Sequence, residues 1–290
     1  MPPTHHPDTD ADESTPADAT GADAVTDEDP VESAALLGSD LELGYGDTTV
    51  VDCEDIVVPE GEVTALVGPN GSGKSTLLKG FSAELEPDAG TVLLDGSAVH
   101  DRAPKQLARE LGLLAQENDA PGGLTVGDLV AHGRYPHRGF LDPMGSEDHA
   151  AIDRAIDLAG VDHLRDTPVS ELSGGQKQLA FVAMALAQDT DVLLLDEPTT
   201  YLDLHHQLRV MEVVRTLNED RDVTVCVVLH DLQQAARFAD YLVALDDGEV
   251  YDWGPPEDVV TESLLADVFG VDAAVTYDDE PRIVPRRPLD

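Results

Sequence analysis

A chain of 290 residues can bury a sizeable core, as one large domain or two small ones. It carries 59 acidic against 17 basic residues, a formal net charge of −42, which repels nucleic-acid phosphates and anionic headgroups and excludes both as general partners. With 41% hydrophobic residues set in apolar runs it is not an acidic disordered protein either; the charge fits a protein built for molar salt, where the screening length is about 3 Å.

In chain order, residues 1 to about 38 hold ten acidic residues and no Lys or Arg, and read as a disordered acidic tail. They contain no basic region followed by an apolar segment, so no signal peptide is expected. The folded pattern, residues 39–290, sets in around Leu41. Short β-rich runs at 62–67, 91–94, 192–195 and 223–229 then alternate with helical stretches, which predicts an α/β fold with a mainly parallel sheet. Between about 117 and 175 the strand signal stops. There Ile152, Ala155, Ile156 and Ala159 fall at i, i+3, i+4 and i+7, one face of a helix, so a helical subdomain is inserted in the α/β core. A Gly254-Pro255-Pro256 turn and a short helix around 263–269 close the chain. Cys53 and Cys226 stand singly in apolar stretches and read as reduced core residues. No apolar run approaches the roughly 18 residues that span a bilayer, so a cytoplasmic protein is expected, one that needs a membrane partner if it serves a membrane.

Two motifs carry the chemistry. The run Val63 to Val67 leads into Gly68-Pro69-Asn70-Gly71-Ser72-Gly73-Lys74-Ser75-Thr76 and then an apolar helical start. This is the phosphate loop G-x-x-x-x-G-K-[ST] in its strand–loop–helix setting. Its glycines let successive N–H groups converge on phosphate oxygens, Lys74 supplies positive charge to the β- and γ-phosphates, and the Ser75 hydroxyl is placed to ligate Mg²⁺. Further on, the apolar run Val192 to Leu195 delivers Asp196 and Glu197 to its C-terminal end. Ligands of open α/β sheets bind at such ends. Asp196 is the candidate Mg²⁺ ligand and Glu197 the group that polarises an attacking water.

Leu172-Ser173-Gly174-Gly175-Gln176 resembles the signature of ATP-binding-cassette (ABC) ATPases. As a Ser-capped helix start it would also suit a γ-phosphate. The other motifs of that family follow in order. Tyr45 resembles the aromatic that stacks on adenine, and Gln116 the glutamine that senses the Mg²⁺ site and opens the loop facing the membrane subunit. Asp203, in Tyr201-Leu202-Asp203, resembles the loop that crosses the dimer interface, and His230 the switch histidine at the γ-phosphate. The bland readings are a strand aromatic, a surface amide and a core histidine. Lys177 and Leu179 follow the signature where many members carry arginines, a departure that alters interface charge.

The resemblance covers about 41–269 and implies a phosphate-loop (RecA-like) core with a mainly parallel sheet, an antiparallel β part and the inserted helical subdomain. It further implies ATP and Mg²⁺ as cofactors and a head-to-tail, ATP-dependent homodimer with composite sites. Residues 124–141, 185–207 and 253–270 resemble the ATPases of iron-siderophore, haem or cobalamin importers. That implies a permease partner at the cytoplasmic face of the membrane and, indirectly, an extracytoplasmic substrate-binding protein. Arg134, His137 and Arg138 form a local positive cluster and are read as part of the permease-facing surface. A soluble ABC ATPase for iron–sulfur cluster assembly and an exporter ATPase are the alternatives.

Overall fold

A computed structural model describes residues 33–139, 142–278 and 281–289. The acidic segment 1–32 lies outside the described residues. Its expected boundary at 38 is too late, because Ala34–Gly38 already form the start of a strand: Leu36 is fully buried, and an apolar pair flanked by alanines belongs in the sheet.

The described chain opens with β1 (Ala34–Tyr45) and β2 (Thr48–Pro59), an antiparallel hairpin. β3 (Val63–Val67) leads into α1 (Lys74–Phe81), and β4 (Ala89–Leu94) and β5 (Ser97–Ala98) return to the first sheet. α2 (Pro104–Glu110) and β6 (Leu111–Leu114) precede the helices α3 (Val126–His132), α4 (Ser146–Ala159) and α5 (Gly174–Ala187). Then come β7 (Val192–Asp196), α6 (Leu204–Arg221), β8 (Thr224–Val228), α7 (Leu232–Phe238), β9 (Tyr241–Asp246) and β10 (Glu249–Gly254). α8 (Pro256–Val259), α9 (Glu262–Asp267) and the hairpin β11 (Val271–Tyr277) and β12 (Pro281–Pro288) end the described chain.

Two main sheets result. The antiparallel one has the order β2-β1-β4-β5; the larger is ordered β10-β9-β3-β8-β7-β6, parallel except for β10 at its edge. Period-two alternation divides the apolar residues of the large sheet between two cores. Ala65, Leu193, Leu195, Val225 and Val227 face the helices α3 to α7, whereas Leu66, Leu194, Cys226 and Val228 face α1 and the antiparallel sheet. Both cysteines are free and buried, and burial pushes the Cys53 thiol up to about 11.

The predicted face of α4 is the buried one: Ile152, Ala155, Ile156 and Ala159 all pack inward. No described helix is long and apolar enough to cross a membrane. The terminal hairpin was not foreseen in the sequence. Pro281, Pro285 and Pro288 give β12 a loop-like composition, but an edge strand tolerates prolines because their missing N–H groups face outward. Tyr277 ties the hairpin to the body through its hydroxyl, which donates to the Pro256 carbonyl at 2.7 Å.

The positive cluster after Gln116 is corrected. Arg134 is buried, and its guanidinium donates to the Ala187 carbonyl at 2.9 Å and pairs with Asp148 at 3.0 Å. His137 Nε2 meets the Gln188 carbonyl at 2.6 Å, and Arg138 bonds the Asp142 carbonyl. Arg134 and His137 thereby satisfy the Ala187 and Gln188 carbonyls, which the C-terminus of α5 leaves without helical partners. Replacing Arg134 with Met keeps the apolar stem but removes the ion pair of Asp148 and the donor to the Ala187 carbonyl. The denaturation midpoint is expected to fall by the equivalent of about 3 kcal/mol, measured by denaturant titration in molar KCl.

Candidate functional site

The strand order decides which loops share an edge. β3, β8 and β7 are neighbours, so the segments following their C-terminal ends converge. These segments carry Gly68 to Ser75, His230, and Asp196 with Glu197. A cavity of about 190 Å³ lies there, lined by Val50, Asn70, Gly71, Gly73, Lys74, Ser75, Thr76 and Glu197.

The loop wraps tightly at its first residue. Gly68 has φ 149°, and a Cβ there would lie 2.2 Å from the Leu245 carbonyl oxygen, so no other residue fits. Pro69 and Ser72 close the turn, with Ser72 N–H donating to the Pro69 carbonyl. Lys74 is only 5% exposed, and its ammonium donates to the carbonyls of Gly68 and Pro69 at 2.9 and 2.8 Å. Burial lowers its pKa, opposed by the charges of Glu197 and Asp196. The Ser75 hydroxyl donates to Asp196 Oδ1 at 3.0 Å, and burial raises the Asp196 carboxyl.

Glu197 has φ 51°, a left-handed conformation costly for a non-glycine residue and concentrated at functional sites. Its carboxylate is held on both oxygens. Gln116 Nε2 donates to Oε2 at 2.7 Å, Thr200 Oγ1 donates to the same oxygen at 3.1 Å, and His230 Nε2 lies 2.6 Å from Oε1. Gln116 thus sits on Glu197 rather than on the Ser75–Asp196 pair where the sequence placed it. Thr200 was missed in the sequence; the only signal was a hydroxyl three residues after the glutamate.

Other expected residues lie apart from the cavity. Tyr45 is 50% exposed at the end of β1, beside the Lys79 ammonium. Ser173 caps α5: its Oγ accepts from Gln176 N–H, and Gln176 Oε1 accepts from Ser173 N–H. Asp203 caps α6 by accepting from His206 N–H at 3.0 Å. Ser173, Gly174, Gly175 and Gln176 do not line the phosphate cavity of their own chain.

Fold and site together define a phosphate-loop nucleotide-binding protein with a helical insert. The ABC transporter family profile matches residues 54–200, and the chain belongs to that family as an ATP-binding and ATP-hydrolysing transport subunit. It is 44% identical over 255 residues to the ferric enterobactin transport ATP-binding protein FepC of Escherichia coli, covering 87% of this chain and 94% of that one. It is 43% identical to the iron(3+)-hydroxamate import ATP-binding protein FhuC of Bacillus subtilis, covering 84% and 91%. Among solved structures it resembles the dimeric bacterial ABC transporter cassette MJ0796, with TM-score 0.68 and 27% identity over 76% of this chain and 98% of that one.

If Glu197 is the group that acts on water, Thr200 only orients it. Thr200→Ala should therefore lower ATP turnover by about three- to tenfold, the worth of one hydrogen bond. Glu197→Gln should lower it by about 10² to 10⁴-fold. Phosphate release checks both.

Proposed function

We propose that two copies of this chain hydrolyse ATP at composite sites and energise import of a ferric siderophore through a separate permease at the cytoplasmic face of the membrane. The observation that carries the chemistry is the Glu197 carboxylate, held by Gln116, Thr200 and His230 at the phosphate cavity. So held, the carboxylate presents a fixed basic edge to a water molecule, while Lys74 and the loop N–H groups take up phosphate charge. Ser75 and Asp196 offer two oxygen donors 3.0 Å apart, which fits Mg²⁺, an ion that keeps waters and substrate phosphates among its ligands. Those two residues would hold it, and it would neutralise charge on the phosphates.

The signature residues support the dimer. They open a 14-residue helix yet lie away from their own chain's phosphate cavity, so only a second copy brings them to a nucleotide. Tyr201, 99% exposed, and Leu204 supply apolar surface beside Asp203. The names of FepC and FhuC favour a ferric siderophore over haem or cobalamin, and an importer over iron–sulfur assembly or export. An extracytoplasmic binding protein would deliver the cargo. For the permease contact, a groove of about 500 Å³ lies between the end of α1, α2 and β6, with Leu107 and Leu111 in its wall. Gln188 also lines it, so Arg134 and His137 brace this groove instead of presenting charge to a partner.

Glu197→Gln should bind MgATP without hydrolysing it and run as a dimer with ATP and as a monomer with ADP. Adding Ser173→Arg should abolish that dimer, because a bulky cation blocks the signature's approach to the γ-phosphate. Size-exclusion chromatography in high salt checks both, and an ATP dimer that survives Ser173→Arg refutes the head-to-tail arrangement.

The charge of −42 supports a working environment of high salt. The melting temperature should rise between low and molar KCl as screening relieves repulsion. Removing residues 1–32 should change that rise little, since 49 of the 59 acidic residues remain. A melting temperature that is flat or falls with salt would refute the assignment.

A further inference from the structure

The signature turn and the loop after Glu197 are far apart in sequence, yet one side chain joins them. His206 lies in the first turn of α6. Its backbone N–H donates to Asp203 Oδ1 at 3.0 Å, and its ring Nδ1 meets the same oxygen at 2.8 Å. These two bonds hold the Asp203 carboxyl below the usual carboxylate range. The ring is thus clamped, and His205 packs edge-on against it with centroids 5.3 Å apart.

The clamped ring lies against Gly175. A methyl group on Gly175 would sit 2.4 Å from both Cγ and Cδ2 of His206, whereas one on Gly174 would meet nothing. Gly175 has no positive φ, so backbone conformation does not demand a glycine there; the imidazole does. The next residue extends the connection. Gln207 Nε2 donates to the Leu202 carbonyl at 3.1 Å and reaches the Thr199 carbonyl at 3.4 Å, and Thr200 in that loop bonds Glu197.

We infer that His206 is a positioning residue, a strut that fixes the signature turn to the loop carrying Thr199 to Asp203, so that both present to the second copy as one body. The inference rests on the composite-site reading above and deepens it. The signature turn serves the γ-phosphate of the partner's ATP, while Glu197 serves the nucleotide in its own chain. The strut therefore connects the halves of two different sites within one chain. It makes no contact with the phosphate loop, so its loss should spare nucleotide capture and impair turnover.

The test uses the full chain in molar KCl. His206→Ala should lower kcat about tenfold, as a small misplacement of a positioning group does, with the dissociation constant of a fluorescent ATP analogue changed by less than about twofold. Gly175→Ala should also lower kcat, because its methyl drives the ring off Asp203. The double variant should be no worse than about twofold below His206→Ala alone, since the two changes break one contact. Partial recovery is expected with His206→Phe, which restores the ring plane without the bond to Asp203. An unchanged kcat in His206→Ala, or strictly additive losses in the double variant, overturns the inference. So does a loss of kcat matched by loss of analogue binding and of melting temperature, which marks a purely structural role. Amide hydrogen exchange separates this from the dimer reading. If Glu197→Gln does not dimerise with ATP, the composite site fails. Exchange at 173–176 in nucleotide-free His206→Ala still decides the strut: acceleration supports it and unchanged exchange overturns it.

Discussion

The site depends on adjacency in the parallel sheet. β3, β8 and β7 lie side by side with both faces buried, and hydrogen bonding at fixed register holds their C-terminal ends level. The phosphate loop, His230 and the Asp196–Glu197 pair then meet across a few ångströms although 162 positions separate Gly68 from His230. Slipping β7 by a single residue would turn Leu194 towards the wrong core, so the burial that stabilises the sheet also aligns the candidate site residues.

Local electrostatics oppose the global charge. The chain surface is strongly anionic, yet the ligand it takes is a polyphosphate. Lys74 stands in a buried position, where interactions are less screened by salt than those at the surface. Asp196 is buried in the same place, and its raised pKa records the cost of keeping a carboxylate there. The Ser75 hydroxyl, Lys79 and Lys74 offset part of that cost, as Glu197 and Asp196 do for Lys74.

Several of the candidate site residues also have structural roles. Ser173 and Gln176 form a capping box, Asp203 caps a helix, and Gln116 holds the glutamate. A helix start that satisfies its own N–H groups, as those at Ser173 and Asp203 do, is also a rigid mount. Arg134 and His137 are different: they appeared as a surface charge cluster and proved to be interior fasteners of the α5 terminus.

Much of this was legible in the sequence because it depends on local rules. Strand runs, the glycine-rich loop, the Asp-Glu strand end and the face of α4 each follow from a period or a spacing of a few residues. Thr200 on Glu197, the position of Gln116 and the ring of His206 against Gly175 do not, since each joins segments whose distance is set by packing. The terminal hairpin was hidden for a related reason: its prolines are disfavoured in a central strand and acceptable at an edge, and only the completed fold defines the edge. The sequence by itself determined the class of chemistry, because phosphate binding requires particular residues in one short loop. The tertiary structure decided which hydroxyl, amide and imidazole meet the Glu197 carboxylate, because hydrogen bonds of about 3 Å between distant segments exist only once the strands have been placed.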